Sequence, residues 1–479
     1  MKRRPVFRVG LENPFCCPEI NTMAGGLLQL VAYGAQDVYI SGNPHITFWK
    51  ILYKRHTNFA MEAFRVNFTG APAFGQRVVA VVNRNADLIG RTYLEVVLPT
   101  KDTTGVDIDP LTFWNDEQNR FGYMLISQIE VEIGGQIIDR HYGEWLYLWE
   151  CLTSSPTESI KMDWMTSAKL TTSSVSQCKG RPRVLYIPLQ FWFCRNPGLA
   201  LPLIALQYHE VRFNITFNDA RSLIKTDGGG TGTVAKCPTL FDASLYIDYV
   251  YLDTEERRRF AQQSHEYLIE QLQYNEDQSL THSSSRIDIT LNHPVKEIVW
   301  VFQNALRKDC TGTNTVSPFT YDDIINRGRV QLNGQDRFDE RYGDYFWKVQ
   351  PFQHHTGGWL NLGGGRSAAT APGAQPEFSS GTGAPLGLEA ASGAVVGSGG
   401  GYYNPVNVYS FALKPEEHQP SGTCNFSRID NATLVFDSVT SGGVGTYPDK
   451  ANPYHLRMYA VSYNILRIMS GMGGLAYSN

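Results

Sequence analysis

Residues 209–217 read His-Glu-Val-Arg-Phe-Asn-Ile-Thr-Phe, and apolar and polar side chains alternate along this stretch. Val211, Phe213, Ile215 and Phe217 fall on one face, and the polar residues between them fall on the other. A period of two is typical of an antiparallel strand with one buried face. The stretch therefore predicts a β-sheet that covers a core with one side and meets solvent or a partner with the other.

The same signal recurs along the chain. Further candidate strands lie at 64–68, 77–82, 92–98, 129–133, 185–193, 243–252, 286–291, 297–302, 406–413, 432–436 and 455–468. Turn residues separate these short runs, and few helical patterns lie between them. This arrangement favours an all-β fold of antiparallel sandwiches over a fold of alternating strands and helices.

Two helices are predicted. Residues 141–152 carry apolar side chains at helical spacing, namely Trp145, Leu148, Trp149 and Leu152. The second helix runs from Thr254 to about Ser264, with Asp253 as its N-cap and Glu256 completing a capping box. We place the domain boundary in this second segment, 253–264. We interpret its run Arg257–Arg259 as a solvated helix face rather than a nucleic-acid patch, because two glutamates precede it.

An internal repeat links the two halves of the chain. Residues 139–145 read Asp-Arg-His-Tyr-Gly-Glu-Trp, and residues 339–345 read Asp-Glu-Arg-Tyr-Gly-Asp-Tyr. Each follows a strand pattern and a turn, Gly134-Gly135-Gln136 in one case and Asn333-Gly334-Gln335 in the other. The similar order of strands around both motifs predicts a duplicated β-domain.

Composition narrows the class further. The chain has 479 residues, of which 42% are hydrophobic and 18% charged, so it can fill two cores and is not disordered as a whole. Its net charge is −4, whereas proteins that grip a phosphate backbone are normally basic. We therefore expect no direct sequence-specific binding of nucleic acid.

One segment, 356–401, has low complexity, with 14 glycines and three charged residues. A connection this long is usually functional or disordered. An exposed surface loop and a tolerated insertion both fit it. The aromatic residues Trp359, Tyr402 and Tyr403 lie in or beside the segment and are candidates for exposed contacts, for example with sugars.

Signatures of enzymes and metal sites are scarce. The sequence has no phosphate-binding loop of the G-x-x-x-x-G-K-[ST] type and no G-x-S-x-G nucleophile motif. The 11 histidines are scattered, and the adjacent pair His354-His355 would point to opposite faces of a strand. We predict no catalytic residue, no cofactor and no metal. A pair of glycosidase carboxylates on separate strands stays open.

Four N-x-[ST] tripeptides are present. We keep Asn67, Asn425 and Asn431 as glycosylation candidates, because Asn214 falls inside the strand pattern of 209–217.

The eight cysteines form no C-x-x-C pair, and we interpret them as reduced thiols. No apolar run approaches the roughly 20 residues of a membrane span. The basic start of the chain lacks the apolar region of a secretory signal.

Four long motifs carry a family resemblance. They read MAGGLLQLVAYGAQDVYISGNPHITFWKILYKRHTNFAMEAF (23–64), DYVYLDTEERRRFAQQSHEYLIEQ (248–271), PSGTCNFSRIDNATLVF (420–436) and YAVSYNILRIMSGMGGLAYSN (459–479). In this order they closely resemble the major capsid proteins of nucleocytoplasmic large DNA viruses.

The resemblance implies a double jelly roll, that is, two tandem eight-stranded antiparallel β-sandwiches with short helices in loops. The first jelly roll would span 45–252, the helical linker 253–264 and the second jelly roll 265–479. Residues 1–44 would form an N-terminal arm, of which 1–22 precede the usual family start. The helices at 141–152 and 341–352 would follow the sixth strand of each sandwich in outward-facing loops. The loop 356–401 would form a tower at the outer surface.

The resemblance also implies partners. Three chains would form a pseudo-hexagonal capsomer that tiles an icosahedral shell beside neighbouring capsomers, penton proteins and minor capsid proteins. The basic arm suggests a contact with the inner viral membrane. The protein would reside in the virion after assembly in the host cytoplasm. The alternatives are a virion surface β-sandwich that binds carbohydrate, and a minor capsid paralogue.

Overall fold

The computed structural model describes residues 31–32, 34–44, 48, 55–108, 114, 120–168, 182–224, 240–282, 284–305, 319–357, 405–438 and 453–477. The chain divides into two compact units, Met1–Thr57 and Asn58–Asn479. In the first unit a short helix, α1 (Asp37–Ser41), begins where the Asp37 carboxylate accepts the backbone N–H of Gly34 at 2.8 Å. No helix that the structure describes is long and apolar enough to cross a bilayer.

The second unit begins with a β-sandwich. Its strands are β1 (Phe59–Asn67), β2 (Arg77–Val81), β3 (Leu88–Leu98), β4 (Ile126–Ile133), β5 (Gln136–Tyr142), β6 (Arg183–Pro188), β7 (Leu201–Pro202), β8 (Val211–Phe217) and β9 (Asp242–Leu252). One sheet has the order β1-β9-β3-β6, with β7 beside β3, and the other has the order β2-β8-β4-β5. All of these pairs are antiparallel.

A second sandwich follows. Its strands are β10 (His265–Leu280), β11 (Ser284–Asp288), β12 (Pro294–Asn304), β13 (Ile325–Leu332), β14 (Gln335–Asp336), β15 (Arg341–Tyr342), β16 (Asn407–Ser410), β17 (Cys424–Asn425), β18 (Ala432–Ser438), β19 (Tyr454–Met469) and β20 (Met472–Leu475). The sheets have the orders β10-β19-β12-β16 and β11-β18-β13-β14, with β17 beside β12, β20 beside β19 and β15 beside β13.

The helical elements lie between the strands. They are α2 (Phe121–Leu125), α3 (Gly143–Thr153), α4 (Pro156–Thr166), α5 (Trp192–Arg195), α6 (Ala220–Leu223), α7 (Thr254–Gln262), a π-helical turn (Tyr345–Val349), α8 (Gln350–His354), and 3₁₀ turns at Pro197–Leu199 and Phe426–Arg428.

The two sandwiches share one topology. If the strands that lie beside the main sheet orders, β7, β15, β17 and β20, are set aside, eight strands in each half pass between the two sheets in the same order. This is the winding of a jelly roll. The predicted double jelly roll is confirmed.

The strand predicted at 209–217 is confirmed as β8. It lies between β2 and β4, and Val211, Phe213, Ile215 and Phe217 are buried in the first core. The alternating pattern thus predicted correctly which face of the strand is buried. A shift of one residue would have turned every apolar side chain outward.

The prediction of a strand through 185–193 is wrong beyond Pro188. The strand β6 ends there and the chain forms helix α5, Trp192–Arg195. Phe191, Trp192 and Phe193 are all buried. A strand on a sheet with one covered face buries only alternate side chains, whereas a helical turn can enclose three consecutive bulky residues.

The predicted helix at 141–152 is confirmed as α3 (Gly143–Thr153), but it follows the fifth strand of its sandwich rather than the sixth. Its counterpart in the second sandwich begins as the π-helical turn and continues as α8, ending two residues beyond the predicted 341–352.

The linker helix α7 is confirmed with Asp253 as its N-cap, but the cap bond goes to the first helical residue and not to Glu256, as a capping box would require. The Asp253 carboxylate accepts the N–H of Thr254 at 2.7 Å. Arg257 forms an ion pair with buried Asp87 at 3.0 Å, and Asp87 also accepts the N–H of Leu252. Part of the arginine run therefore holds the linker against the first sandwich.

The internal repeat has the same geometry in both halves. Gly134 and Gly135, and likewise Asn333 and Gly334, have positive φ angles, as two-residue hairpin turns of the primed type require. After each hairpin a glycine packs against the first residue of the strand that enters the hairpin, β4 or β13. A Cβ on Gly143 would overlap the carbonyl oxygen of Ile126, and one on Gly343 would overlap that of Ile325.

We expect Gly143→Ala to lower the free energy of unfolding by about 2–3 kcal/mol, because the new methyl group must displace backbone. Gly90→Ala is the matched control, since a Cβ there meets its nearest atom at 3.8 Å and the φ angle is ordinary. The control should leave stability unchanged or slightly raised. Urea titration of both variants checks this, and equal stability of the two would contradict the packing argument.

Candidate functional site between the two sandwiches

The sheet β10-β19-β12-β16 is buried on both faces. In β12, Ile298, Trp300 and Phe302 point into the core of the second sandwich. Val299 and Val301 point the other way and belong to the same apolar cluster as the first sandwich. The first sandwich therefore covers the outer face of this sheet, and the two sandwiches meet in a buried junction.

Helix α3 of the first sandwich fills the junction. The Trp145 ring lies 5.6 Å from that of Tyr459, and the Tyr147 ring is stacked on Phe319 at 4.8 Å. Trp149 packs beneath the guanidinium of Arg195, 4.7 Å from its ring centre. Aromatic pairs of this kind add to the stabilisation from burial alone.

A single carboxylate at the start of α3 joins the sandwiches by hydrogen bonds. Glu144 accepts the hydroxyls of Tyr321 at 2.9 Å and Tyr459 at 2.6 Å, and it pairs with Arg457 at 2.9 Å. All three donors belong to the second sandwich. Burial, followed by the charge of Glu144, raises the pKa of Tyr459, so its hydroxyl stays protonated and able to donate.

A second buried carboxylate lies on β10. Glu270 pairs with Arg195 of the first sandwich and with Lys296 of the second, each at 2.7 Å. Burial would raise the pKa of Glu270, but the charge of Arg195, the hydrogen bond from His418 and the charge of Lys296 lower it to about 2. Glu270 is therefore an anion held between two cations from different sandwiches.

A third cluster holds the start of the glycine-rich segment. His355 lies 2.9 Å from Glu297 and 3.1 Å from Glu416. Burial would lower the pKa of His355, but the charge and hydrogen bond of Glu297 and then those of Glu416 raise it to about 9. Two residues on, the N–H of Gly357 donates to the carbonyl oxygen of Leu152 at the end of α3, at 2.7 Å.

The charged groups of this site bind to one another and so hold the two sandwiches together. Its carboxylates are paired with cations or accept hydrogen bonds, and the nearby thiols of Cys151 and Cys194 have pKa values raised to about 12 by burial. Such thiols stay protonated and are poor nucleophiles. Across the described ranges, no three His, Cys, Asp or Glu side chains are arranged to hold a metal ion.

Comparisons with known proteins match this geometry. The family model described as "Major capsid protein N-terminus" matches residues 47–253, and "Large eukaryotic DNA virus major capsid protein" matches residues 256–358 and 402–474. The chain belongs to the major capsid protein family of large eukaryotic DNA viruses. The predicted resemblance is confirmed.

Relatives cover almost all of the chain. The major capsid protein of Pyramimonas orientalis virus is 46% identical over 460 residues, which are 95% of this chain and 100% of the relative. The major capsid protein of Paramecium bursaria Chlorella virus 1 is 38% identical, with the same coverage. This capsid protein is thus a structural component of the shell of a large DNA virus.

Solved structures agree. The quasi-atomic model of the PBCV-1 virus capsid is 34% identical, with a TM-score of 0.69, over 90% of this chain and 100% of that chain. The Faustovirus major capsid protein is 12% identical with a TM-score of 0.63, over 91% and 94% of the two chains, and shows the fold alone.

The glycosylation candidates lie at the surface of this capsid protein. Asn67 ends β1, and Asn425 and Asn431 are likewise exposed. The side chain of Asn425 accepts the N–H of Ser427 at 3.1 Å. Asn214 is buried in β8 and donates to Glu132 at 3.0 Å, so the strand argument against it holds. Glycosylation of the other three stays a prediction.

The remaining candidates divide between described and undescribed residues. His354 and His355 are not on a strand, because His354 ends α8. His354 is half-buried and bonds the carbonyl oxygen of Leu413, while His355 is buried in its ion pairs, so the two have separate partners. Trp359, Tyr402 and Tyr403 lie outside the described residues, as does 358–401 of the glycine-rich segment.

Sequence reasoning did not find Glu144. An acidic residue in the first turn of a helix is common, and its partner Tyr459 lies 315 residues away. The one available signal was the repeat, which places Glu144 and Asp344 at the same position of the motif.

We expect Glu144→Gln to lower the free energy of unfolding by about 2–4 kcal/mol, because Arg457, whose side chain is only 14% exposed, then loses its counter-ion. The double variant Glu144→Gln/Arg457→Met should recover part of that loss. Urea titration measures both, with Glu266→Gln as control. Glu266 pairs with Arg467 at the surface, where a salt bridge contributes less than about 1 kcal/mol. Equal effects at Glu144 and Glu266 would contradict the role of the junction.

Because of Glu270, we expect the free energy of unfolding to depend on pH in the acid range. A carboxyl whose pKa falls from 4.5 to about 2 on folding stabilises the protein above pH 4.5, and this contribution, about 3 kcal/mol, is lost as the pH falls towards 2. The difference in unfolding free energy between the wild type and Glu270→Gln should therefore shrink over that interval. A difference that is constant from pH 5 to pH 2.5 would contradict the assignment.

Proposed function

We propose that three copies of this capsid protein form one capsomer of pseudo-hexagonal outline, which tiles the shell beside like capsomers. The observation that carries the proposal is the buried junction. It joins two sandwiches of the same topology through one helix, one apolar sheet face, two ion-paired clusters at Glu144 and Glu270, and the backbone hydrogen bond from Gly357 to Leu152. Three such chains supply six similar blocks, which is the number that a hexagonal outline needs.

The capsomer offers no evident reaction centre in the described residues, and we infer that its role is to form and hold a shape. The contacts with penton proteins, with minor capsid proteins and, through residues 1–44, with the inner membrane are part of the same proposal. Cys151, Cys194 and Cys424 are free thiols, which supports assembly in the reducing cytoplasm of the host.

Sedimentation of the purified protein tests the trimer. The chain has a mass of 53.7 kDa, so a trimer has about three times that mass, or ~161 kDa. We expect a species of this mass whose negative-stain images show hexagonal outlines. A folded monomer that does not associate at micromolar concentration would contradict the proposal.

A further inference from the structure

The internal repeat places two helical segments in equivalent positions, but two apolar side chains that are buried in the first segment have exposed counterparts in the second. Trp149 and Leu152 on α3 are buried in the junction, with exposed fractions of 6% and 0%. At the same offset of 200 residues, Val349 and Phe352 of the second segment are 39% and 83% exposed. An apolar side chain as exposed as Phe352, at a position that is buried in its counterpart, indicates a missing partner.

The second segment is rigidly held, so its exposed side chains have a fixed direction. Gly343 packs against the carbonyl of Ile325, and Phe346 is fully buried in the second core. The indole N–H of Trp347 donates to Asp323 at 3.0 Å. We call the π-helical turn and α8 together, residues 345–354, the docking segment.

The surface that would receive this segment is identified by the same repeat. In the second sandwich, α3 covers the outer face of β10-β19-β12-β16. The corresponding sheet of the first sandwich is β1-β9-β3-β6, and several apolar side chains on its outer face are exposed in the described part of the chain. Phe59 and Met61 on β1 are 60% and 56% exposed, and Tyr186 on β6 is 39% exposed.

Tyrosines form the centre of this open face. Tyr93 and Tyr246 lie opposite each other on β3 and β9, and their rings are stacked at 5.2 Å. In the second sandwich Tyr459 holds the comparable place on β19, opposite Val299 of β12. Tyr459 is the side chain that meets Trp145 and Glu144 in the junction. The open face therefore presents the same kind of central residue to a partner.

The polar groups also correspond. Glu144, which accepts from Tyr459 and Arg457, has Asp344 as its counterpart in the repeat. Asp344 is exposed and touches Lys348 at 2.8 Å. On the open face Arg65 lies directly opposite Tyr246 in register and is half exposed. The open face thus offers a tyrosine and an arginine, the same two kinds of partner that Glu144 has in the junction within the chain.

We infer that the outer face of β1-β9-β3-β6 binds the docking segment of a second copy of this chain, so that the junction within one chain is repeated between chains. The inference rests on the proposed capsomer and names the surface that builds it. The contact is head-to-tail, because each copy offers a segment from one sandwich and a face from the other. Such an interface leads to a closed ring if the rotation closes and to an open filament if it does not.

Photo-crosslinking tests the contact directly. We would introduce p-benzoylphenylalanine in place of Phe352, irradiate the purified trimer and map the crosslinked peptides. We expect crosslinks between copies that reach the peptides of β3, β6 or β9. Crosslinks to residues 1–57 would overturn the inference by showing that the N-terminal unit covers the docking segment. Crosslinks between copies that end elsewhere would also overturn it, while leaving the trimer intact.

Paired variants test the head-to-tail arrangement. Phe352→Glu damages the segment and Tyr186→Glu damages the face, so each variant alone should sediment as a monomer. Mixed in equal amounts, they retain one intact contact and should form a dimer of twice 53.7 kDa, about 107 kDa. Val106→Glu is the control, because Val106 is 62% exposed in a loop outside both surfaces, and it should stay trimeric.

The failures are distinguishable. If the wild type is monomeric, the capsomer proposal and this inference fall together. If the wild type and both Glu variants are all trimeric, the capsomer stands and the inferred interface is wrong.

Discussion

The arrangement of the two sandwiches depends on one carboxylate whose side chain is 10% exposed. Glu144 lies at the start of α3 in the first sandwich. Its carboxylate accepts hydrogen bonds from the hydroxyls of Tyr321 and Tyr459 and pairs with Arg457, all in the second sandwich. A charge taken out of water is costly unless its partners are in place, so the three donors and the helix that carries Glu144 fix one another. The apolar packing around Trp145 supplies the attraction, while the carboxylate selects one relative position.

The ion-paired clusters of Glu270 and His355 add stabilisation that depends on pH. The pKa of Glu270 is lowered to about 2 and that of His355 is raised to about 9, so both groups are charged across the neutral range. The stabilisation from Glu270 is lost towards acid. That from His355 is fully present below pH 6.5 and is lost as the pH rises through 9. The contributions of both groups are therefore fully present together between pH 4.5 and pH 6.5.

The sequence analysis predicted what depends on local pattern. The period of two placed β8 correctly, and the repeat at 139–145 and 339–345 located two hairpins and their helices. It did not predict burial by residues that are distant in the sequence. The run around Trp300 is apolar on both faces because another sandwich covers it, and Glu144 resembles an ordinary first-turn acid until Tyr459 is placed beside it.

Duplication gives the chain two equivalent sheets and two equivalent helical segments. Among the described residues, the outer face of β1-β9-β3-β6 exposes Phe59 and Met61, and the docking segment exposes Phe352. The central claim is that copies associate by repeating the internal junction. A cryo-EM reconstruction of the purified capsomer tests it most directly. The account predicts that Phe352 of one copy lies within van der Waals distance, about 4 Å, of the tyrosines on the outer face of β9 and β3 of the next. A map in which that face meets solvent, or any segment other than 345–354, would contradict the account.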